Sequence, residues 1–230
     1  MIKHRTKEWF EARIGKFTAS CFGKLMAKPA DRTATWSKSA LNCVEKAVSQ
    51  QYYNRYYERP DNNATRWGFR NESLAIEEFV RITNFRYKET GFVLHPTIQD
   101  IGATPDAQII EDESSDDFVI AQIKCPYNTD NHLKYASKIF DNKTLKKSKS
   151  EYYWQMQGEI WITGAKHNYF VSFDPRLQGA KRLHYAKIER DNDAIRMLKQ
   201  RIYDVIELKN KFLNEIEQGI RRPEPLISLW

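Results

Sequence analysis

Residues 104–125 read TPDAQIIEDESSDDFVIAQIKC. Two apolar runs, 107–110 and 118–125, flank an acidic block from Glu111 to Asp117. Short apolar runs bounded by turn signals predict strands, and the charged block between them predicts a solvated turn. Such a hairpin carries Asp106 back beside the second strand. Side chains alternate along a strand, so Gln122 and Lys124 share one face while Ala121, Ile123 and Cys125 share the other. The pattern therefore predicts a carboxylate, an amide and an ammonium together at a strand edge.

The flanking sequence alternates between helical and strand periods. Upstream, Thr18 or Ser20 is placed to cap a short helix running towards Met26. Leu41, Val44, Val48 and Tyr52 predict a helix over 37–53, and Leu74, Ala75, Phe79 and Ile82 another from near Gly68. Residues 91–95 read as a strand. Downstream, 151–162 reads as an aromatic-rich helix, followed by strands over 167–173 and 183–188. Asp191 or Asn192 caps a final helix with Ile195, Leu198, Ile202, Val205, Ile206, Phe212 and Ile216 on one face, and Gly219 ends it. Helices against a sheet make an α/β or α+β domain. With no repeat and no low-complexity linker, 1–230 is expected to be one domain. Its parts would be a helical region over 1–90, a sheet core over 91–190 and a terminal helix over 191–219. Residues 134–149 hold Lys134, Lys138, Lys143, Lys146, Lys147 and Lys149 and read as a mobile basic loop able to touch a phosphate backbone.

Composition narrows the class. The 230 residues are 41% hydrophobic, enough to bury a sizeable core, and no run of eighteen apolar residues suggests a membrane span. The first residues, MIKHRTKEWFEAR, have no apolar stretch behind their basic ones, so a secretory leader is not expected. Cys21, Cys43 and Cys125 are too few and too scattered for a disulfide framework or a zinc knuckle, which suits a reducing cytoplasm. Thirty-seven Lys and Arg against thirty Asp and Glu leave a net charge of +7, favouring an anionic partner such as nucleic acid.

Paired carboxylates with a lysine are what phosphodiester hydrolysis requires. Carboxylates hold a divalent cation, and a lysine offsets charge developing in the transition state. The strand supplies only Gln122 beside Asp106, so Glu72, read as one turn into its helix, is a candidate further ligand. Arg13 precedes a helix start near Ser20 and could help cradle a phosphate. Gln155 and Glu159, four apart, share a helix face.

Six segments in order, WFEARIGKFTAS, WGFRNESLAIEEF, GATPDAQ, IKCPYNT, YYWQMQGEIWITG and YFVSFDPR, resemble the phage lambda-type alkaline exonucleases. These form the YqaJ-like viral recombinase branch of the PD-(D/E)XK nuclease superfamily. The resemblance covers roughly residues 9–189. It implies a restriction-endonuclease-like core, a central mixed β-sheet flanked by helices. The implied activity is a Mg2+-dependent 5′→3′ exonuclease on linear double-stranded DNA, with Mn2+ as a substitute ion. Such an enzyme releases mononucleotides and leaves 3′ single-stranded tails. A toroidal homotrimer and a single-strand DNA annealing protein are the implied partners, in a bacterial host cytoplasm. By position, Asp106 matches the metal-binding aspartate and Lys124 the catalytic lysine. Glu72 matches an acidic residue near the metals, with the Ile123 carbonyl a further ligand, and Gln155 matches the glutamine beside the site. Arg13, Ser20 and Thr104 match the 5′-phosphate pocket, Thr104 standing for the family's serine.

The chain departs from that family at Gln122, where an acidic residue is the rule. An amide offers a metal one oxygen but no charge. Gln122 is therefore expected to impair catalysis. Three readings stay open: an introduced Glu→Gln change, a natural variant helped by Glu72 or Glu159, and a nuclease fold that only clamps DNA ends. A related endonuclease is the alternative within enzymes.

Overall fold

The computed structural model describes residues 2–3, 6–56 and 62–219. The chain opens with strand β1 (Ile2–Lys3), helix α1 (Lys7–Glu11) and strand β2 (Phe17–Thr18). Helices α2 (Ala19–Leu25), α3 (Lys38–Tyr52) and α4 (Asn63–Thr83) follow. Next come strands β3 (Arg86–Glu89), β4 (Gly91–Leu94), β5 (Ile101–Ala103), β6 (Ala107–Ile110) and β7 (Val119–Lys124). Helices α5 (Thr129–Lys138), α6 (Asn142–Ser148) and α7 (Ser150–Thr163) lead to strands β8 (His167–Phe173) and β9 (Leu183–Glu189). Helix α8 (Asn192–Glu217) ends the series.

The main sheet has the order β3-β6-β7-β8-β9. β7 and β8 pair in parallel, and the other neighbours are antiparallel. A parallel pair needs a crossover connection, which α5, α6 and α7 supply. Every residue of β8 is buried, as expected of a strand covered on both faces. On one face, Ala75, Ile76 and Phe79 of α4 pack against Ala107, Ile109, Val119, Ala121 and Ile123. On the other, Phe170, Ala186 and Ile188 join side chains from α2, α3, α7 and α8. A smaller sheet, β1-β4-β5-β2, sets β2 parallel to β5.

The hairpin read from residues 104–125 is present, with Ala107 opposite Ala121. Ser37 and Asp191 cap their helices by accepting from the N–H groups of Ala40 and Ala194. Gly219 turns the chain out of α8 at φ +65°. Other expectations need correction. The first ninety residues contain three strands as well as helices, each too short to show a period. Helix α4 starts at Asn63, capped by Asn62, so Glu72 lies beyond the first turn and outside the reach of the helix dipole. The stretch 134–149 is not a loop but α5 and α6. Its lysines are good helix formers, and Tyr135, Ile139 and Leu145 anchor it in the core. Glu111 does not face solvent alone: it accepts from the Tyr169 hydroxyl and pairs with Nε2 of His167 at 2.9 Å. Thr18 holds the cap position of α2, but its hydroxyl makes no capping bond. No helix among the described residues is long and apolar enough to cross a membrane.

Candidate active site

The β6–β7 hairpin sets the first carboxylate. The Asp106 N–H donates to the Ala121 carbonyl at 3.0 Å, continuing the ladder by one residue. Oδ2 of Asp106 then accepts the Ile123 N–H at 2.6 Å and the side-chain amide of Gln122. The alternation along β7 is as expected. Ala121 and Ile123 pack with α4, while Gln122 reaches α7, where its Oε1 accepts from Gln155 at 2.6 Å.

The chain of contacts continues inward. Gln155 also donates to Oε1 of Glu159 at 2.8 Å, one helical turn on. Asn168, on β8, donates to Oε2 of Glu159 at 2.8 Å. Asp106, Gln122, Gln155, Glu159 and Asn168 thus form one hydrogen-bonded row. Glu159 is 1% exposed. Burial, and then the charge of Asp106, push its carboxyl up to about 8, so it is largely uncharged at neutral pH. The Asn168 carbonyl oxygen is buried without a partner. Turning that amide over would let the oxygen accept the proton of a neutral Glu159.

Lys124 lies on the same side of β7, its Nζ 4.8 Å above the Tyr152 ring. Burial, then Glu72 and then Asp106 raise the Cys125 thiol to about 12, so both carboxylates act on the end of β7. Arg13 is 8% exposed and donates from Nη1 to Thr104 Oγ1 at 3.1 Å. Its Nε and Nη2 reach the Tyr56 hydroxyl at 3.4 and 3.3 Å, and its guanidinium lies 4.1 Å over the Trp9 ring. Ser20 is exposed, and its hydroxyl pairs with that of Thr18 at 3.0 Å. Because β2 and β5 run parallel, Ser20 and Thr104 leave the same end of the pair. No Arg13–Ser20 hydrogen bond occurs among the described residues.

The donor set tests whether these residues fit a hard divalent cation, which needs several anionic oxygens. Oδ2 of Asp106 already takes two N–H donors, and the Gln122 oxygen takes Gln155. Among the described residues, no three His, Cys, Asp or Glu side chains gather to hold a metal. As it stands the row does not fit such an ion: the Gln122 amide brings no charge of its own and occupies Oδ2 of Asp106 with a hydrogen bond.

Residues 8–166 match the model of the YqaJ-like viral recombinase domain. The chain belongs to this family. The alkaline exonuclease LHK-Exo of Laribacter hongkongensis aligns with a TM-score of 0.76 at 29% identity, over 93% of this chain and 97% of that one. LHK-Exo has also been solved in complex with dAMP. A phage related exonuclease from Haemophilus somnus 129PT shares the fold, with a TM-score of 0.67 at 18% identity over 87% of this chain and 96% of its own. The Escherichia coli K12 protein ExoD is 34% identical over 68 residues, 30% of this chain and 77% of ExoD. The YqaJ-like assignment and the alkaline exonuclease neighbours make this a nuclease fold. The YqaJ-like match takes in every site residue expected from the sequence, while Asn168 lies just beyond it. Asn168, Tyr152, Tyr56 and Trp9 were not singled out as site residues by the sequence reading. Trp9 stands four before Arg13, a spacing that could have drawn attention to it. Asn168 left no signal of its own.

Proposed function

We propose that this YqaJ-like protein acts on ends of linear double-stranded DNA as a 5′→3′ exonuclease, and that Gln122 leaves it catalytically impaired. The observation that carries the reading is the row at Asp106, a nuclease site whose second acidic position holds an amide donating into the first. Arg13, Thr104 and Ser20 would hold the 5′-phosphate: a buried guanidinium with a fixed hydroxyl beside it suits a terminal dianion. A phosphate fixed there would set a constant distance to the scissile bond, which yields mononucleotides. The dAMP complex of LHK-Exo, a nucleoside monophosphate on a similar fold, supports that product class. Lys124, held against Tyr152, would offset charge developing on the phosphate. Gln155 would orient residue 122, and Asp106 and Glu72 would supply the carboxylates.

Mg2+, with Mn2+ as a substitute, is the cofactor we propose for the family's acidic form of the site. Assembly as a homotrimer and partnership with a single-strand DNA annealing protein rest on the family alone. A second reading, a non-catalytic clamp on DNA ends, is favoured by the same Gln122–Asp106 bond, because a satisfied site has less call for a cation.

The deciding experiment compares this chain with Gln122→Glu on 5′-phosphorylated linear duplex in Mg2+, with a closed circle as control. Calorimetric titration with Mg2+ runs beside it. Nucleotide release from linear DNA by Gln122→Glu at least a hundredfold faster, with tighter Mg2+ binding, is expected (~3 kcal/mol at the barrier). Cutting of the circle would make the protein an endonuclease. No release by either form, with ends still bound, would establish the clamp.

A further inference from the structure

The α5–α6 hairpin takes no part in the row around Asp106, yet it carries six lysines. Lys134, Lys138, Lys143, Lys146, Lys147 and Lys149 are all exposed. One acid, Asp141, stands between residues 131 and 149, and it is engaged in capping α6. None of the six lysines is in an ion pair among the described residues. A single-sign cluster of this kind raises the local potential and draws anions.

The hairpin is held in place. Asn142 exchanges two hydrogen bonds of 2.8 Å with the Glu189 backbone, and His184 Nε2 lies 2.6 Å from the Ile139 carbonyl. Apolar side chains stand exposed among the charges. Phe140 is 59% exposed and braced at right angles by His184, and Tyr127, just before α5, is 50% exposed. The surface joins the site through two rings that meet edge to face. Lys149 lies 5.8 Å from the Tyr135 ring, the Tyr135 hydroxyl is 3.5 Å from that of Tyr152, and Tyr152 carries Lys124.

We propose that α5–α6, with Tyr127 at its head, is a track for an unpaired DNA strand at the site. Lysines take the phosphates, and the exposed rings take base faces. A duplex keeps those faces stacked inside, so Phe140 and Tyr127 would serve it little. The proposal rests on the DNA-end reading of the site.

Its test avoids hydrolysis and the phosphate pocket. Fluorescence anisotropy in EDTA follows binding of a 5′-hydroxyl oligo(dT) of about twenty nucleotides, long enough for one track, and of a blunt duplex of the same length. Lys143→Gln/Lys147→Gln should weaken oligo(dT) about tenfold and reduce the salt slope by about 1.4, for two lost phosphate contacts. Phe140→Ala should weaken oligo(dT) about tenfold while changing the duplex less than about twofold. Unchanged oligo(dT) binding in either variant would overturn the track. Equal losses for duplex and single strand in Phe140→Ala would overturn the choice of an unpaired strand. Circular dichroism confirms that these surface variants fold. A failed nuclease reading shows separately, as absent nucleotide release by Gln122→Glu.

Discussion

At the residue scale, the site is a problem of protons and charges as much as of ligands. Glu159 is a carboxylate four residues past Gln155, a spacing that sequence alone exposes, but its role depends on depth. Fully buried, it is held as the neutral acid, with its pKa raised to about 8 from about 4.3 in an unfolded chain. The folded state therefore binds the proton more tightly than the unfolded one. This contribution to stability is fully present below pH 4.3 and is lost as pH rises to about 8, where the loss levels off. Glu159→Gln mimics the neutral acid: its oxygen accepts from Gln155, and its NH2 can donate to a turned Asn168. Relative to wild type, the variant should gain a few kcal/mol between pH 5 and pH 9. Denaturant unfolding at the two pH values checks this, and parallel losses in the two proteins would show that Glu159 ionises freely. Gln122 and Lys124 were legible in the sequence because a strand's alternation places them, and Asp106 because the hairpin returns it beside that strand. The inner half of the row was legible only in part, because Gln155–Glu159 follows from helical spacing whereas Asn168 arrives from a distant strand by tertiary packing.

At the element scale, legibility followed the strength of the periodic signal. β9 and α8 read clearly because their apolar positions repeat, and β8 because a compact aromatic-rich run marks a strand buried on both faces. β1 and β2, two residues each, offer no period to read. α5 and α6 carry the sequence signature of a loop because lysines dilute a pattern resting on a few anchors, among them Tyr135 and Leu145. The seating of α2 on α7 was also unreadable, although it rests on two glycines. A Cβ on Gly23 would stand 2.5 Å from the Glu151 Cα, and one on Gly158 would stand 2.3 Å from the Phe22 ring. This close approach seats α2, the helix that carries Ser20, against α7, the helix that carries Gln155. Gly158→Ala gains about 1 kcal/mol of helix propensity but forces a buried ring aside, at about 1–3 kcal/mol. With an overlap as close as 2.3 Å the cost falls in the upper part of that range, about 2–3 kcal/mol, so a net loss of about 1–2 kcal/mol in urea unfolding is expected, partly recovered when Phe22→Leu is added. Wild-type stability in the single variant would mean that the helices are not so close.

At the scale of the whole molecule, the two ends of the described chain are tied together beneath the Arg13 loop. Lys209, on α8, is 4% exposed. Its Nζ donates to the Gly15 carbonyl at 3.1 Å and pairs with Asp100, just before β5. Gly15 sits at φ +68°, two residues past Arg13, and Asp100 in turn accepts the Phe17 N–H through its backbone carbonyl at 2.8 Å. One ammonium thus joins the terminal helix to both segments that frame the proposed phosphate pocket. Buried ion pairs are costly to break from one side and cheap to replace whole. Asp100→Ala strands the Lys209 charge with a single carbonyl partner, and should cost about 2–3 kcal/mol, somewhat below a fully buried case because Asp100 is partly exposed. Lys209→Met removes the charge while filling the same space, and should cost about 1 kcal/mol or less. The double variant should then match Lys209→Met, because Asp100 has no buried charge left to answer. Urea midpoints of the three proteins decide the matter. An Asp100→Ala protein as stable as Lys209→Met would mean that water reaches the ammonium and that this tie does little to hold the ends together.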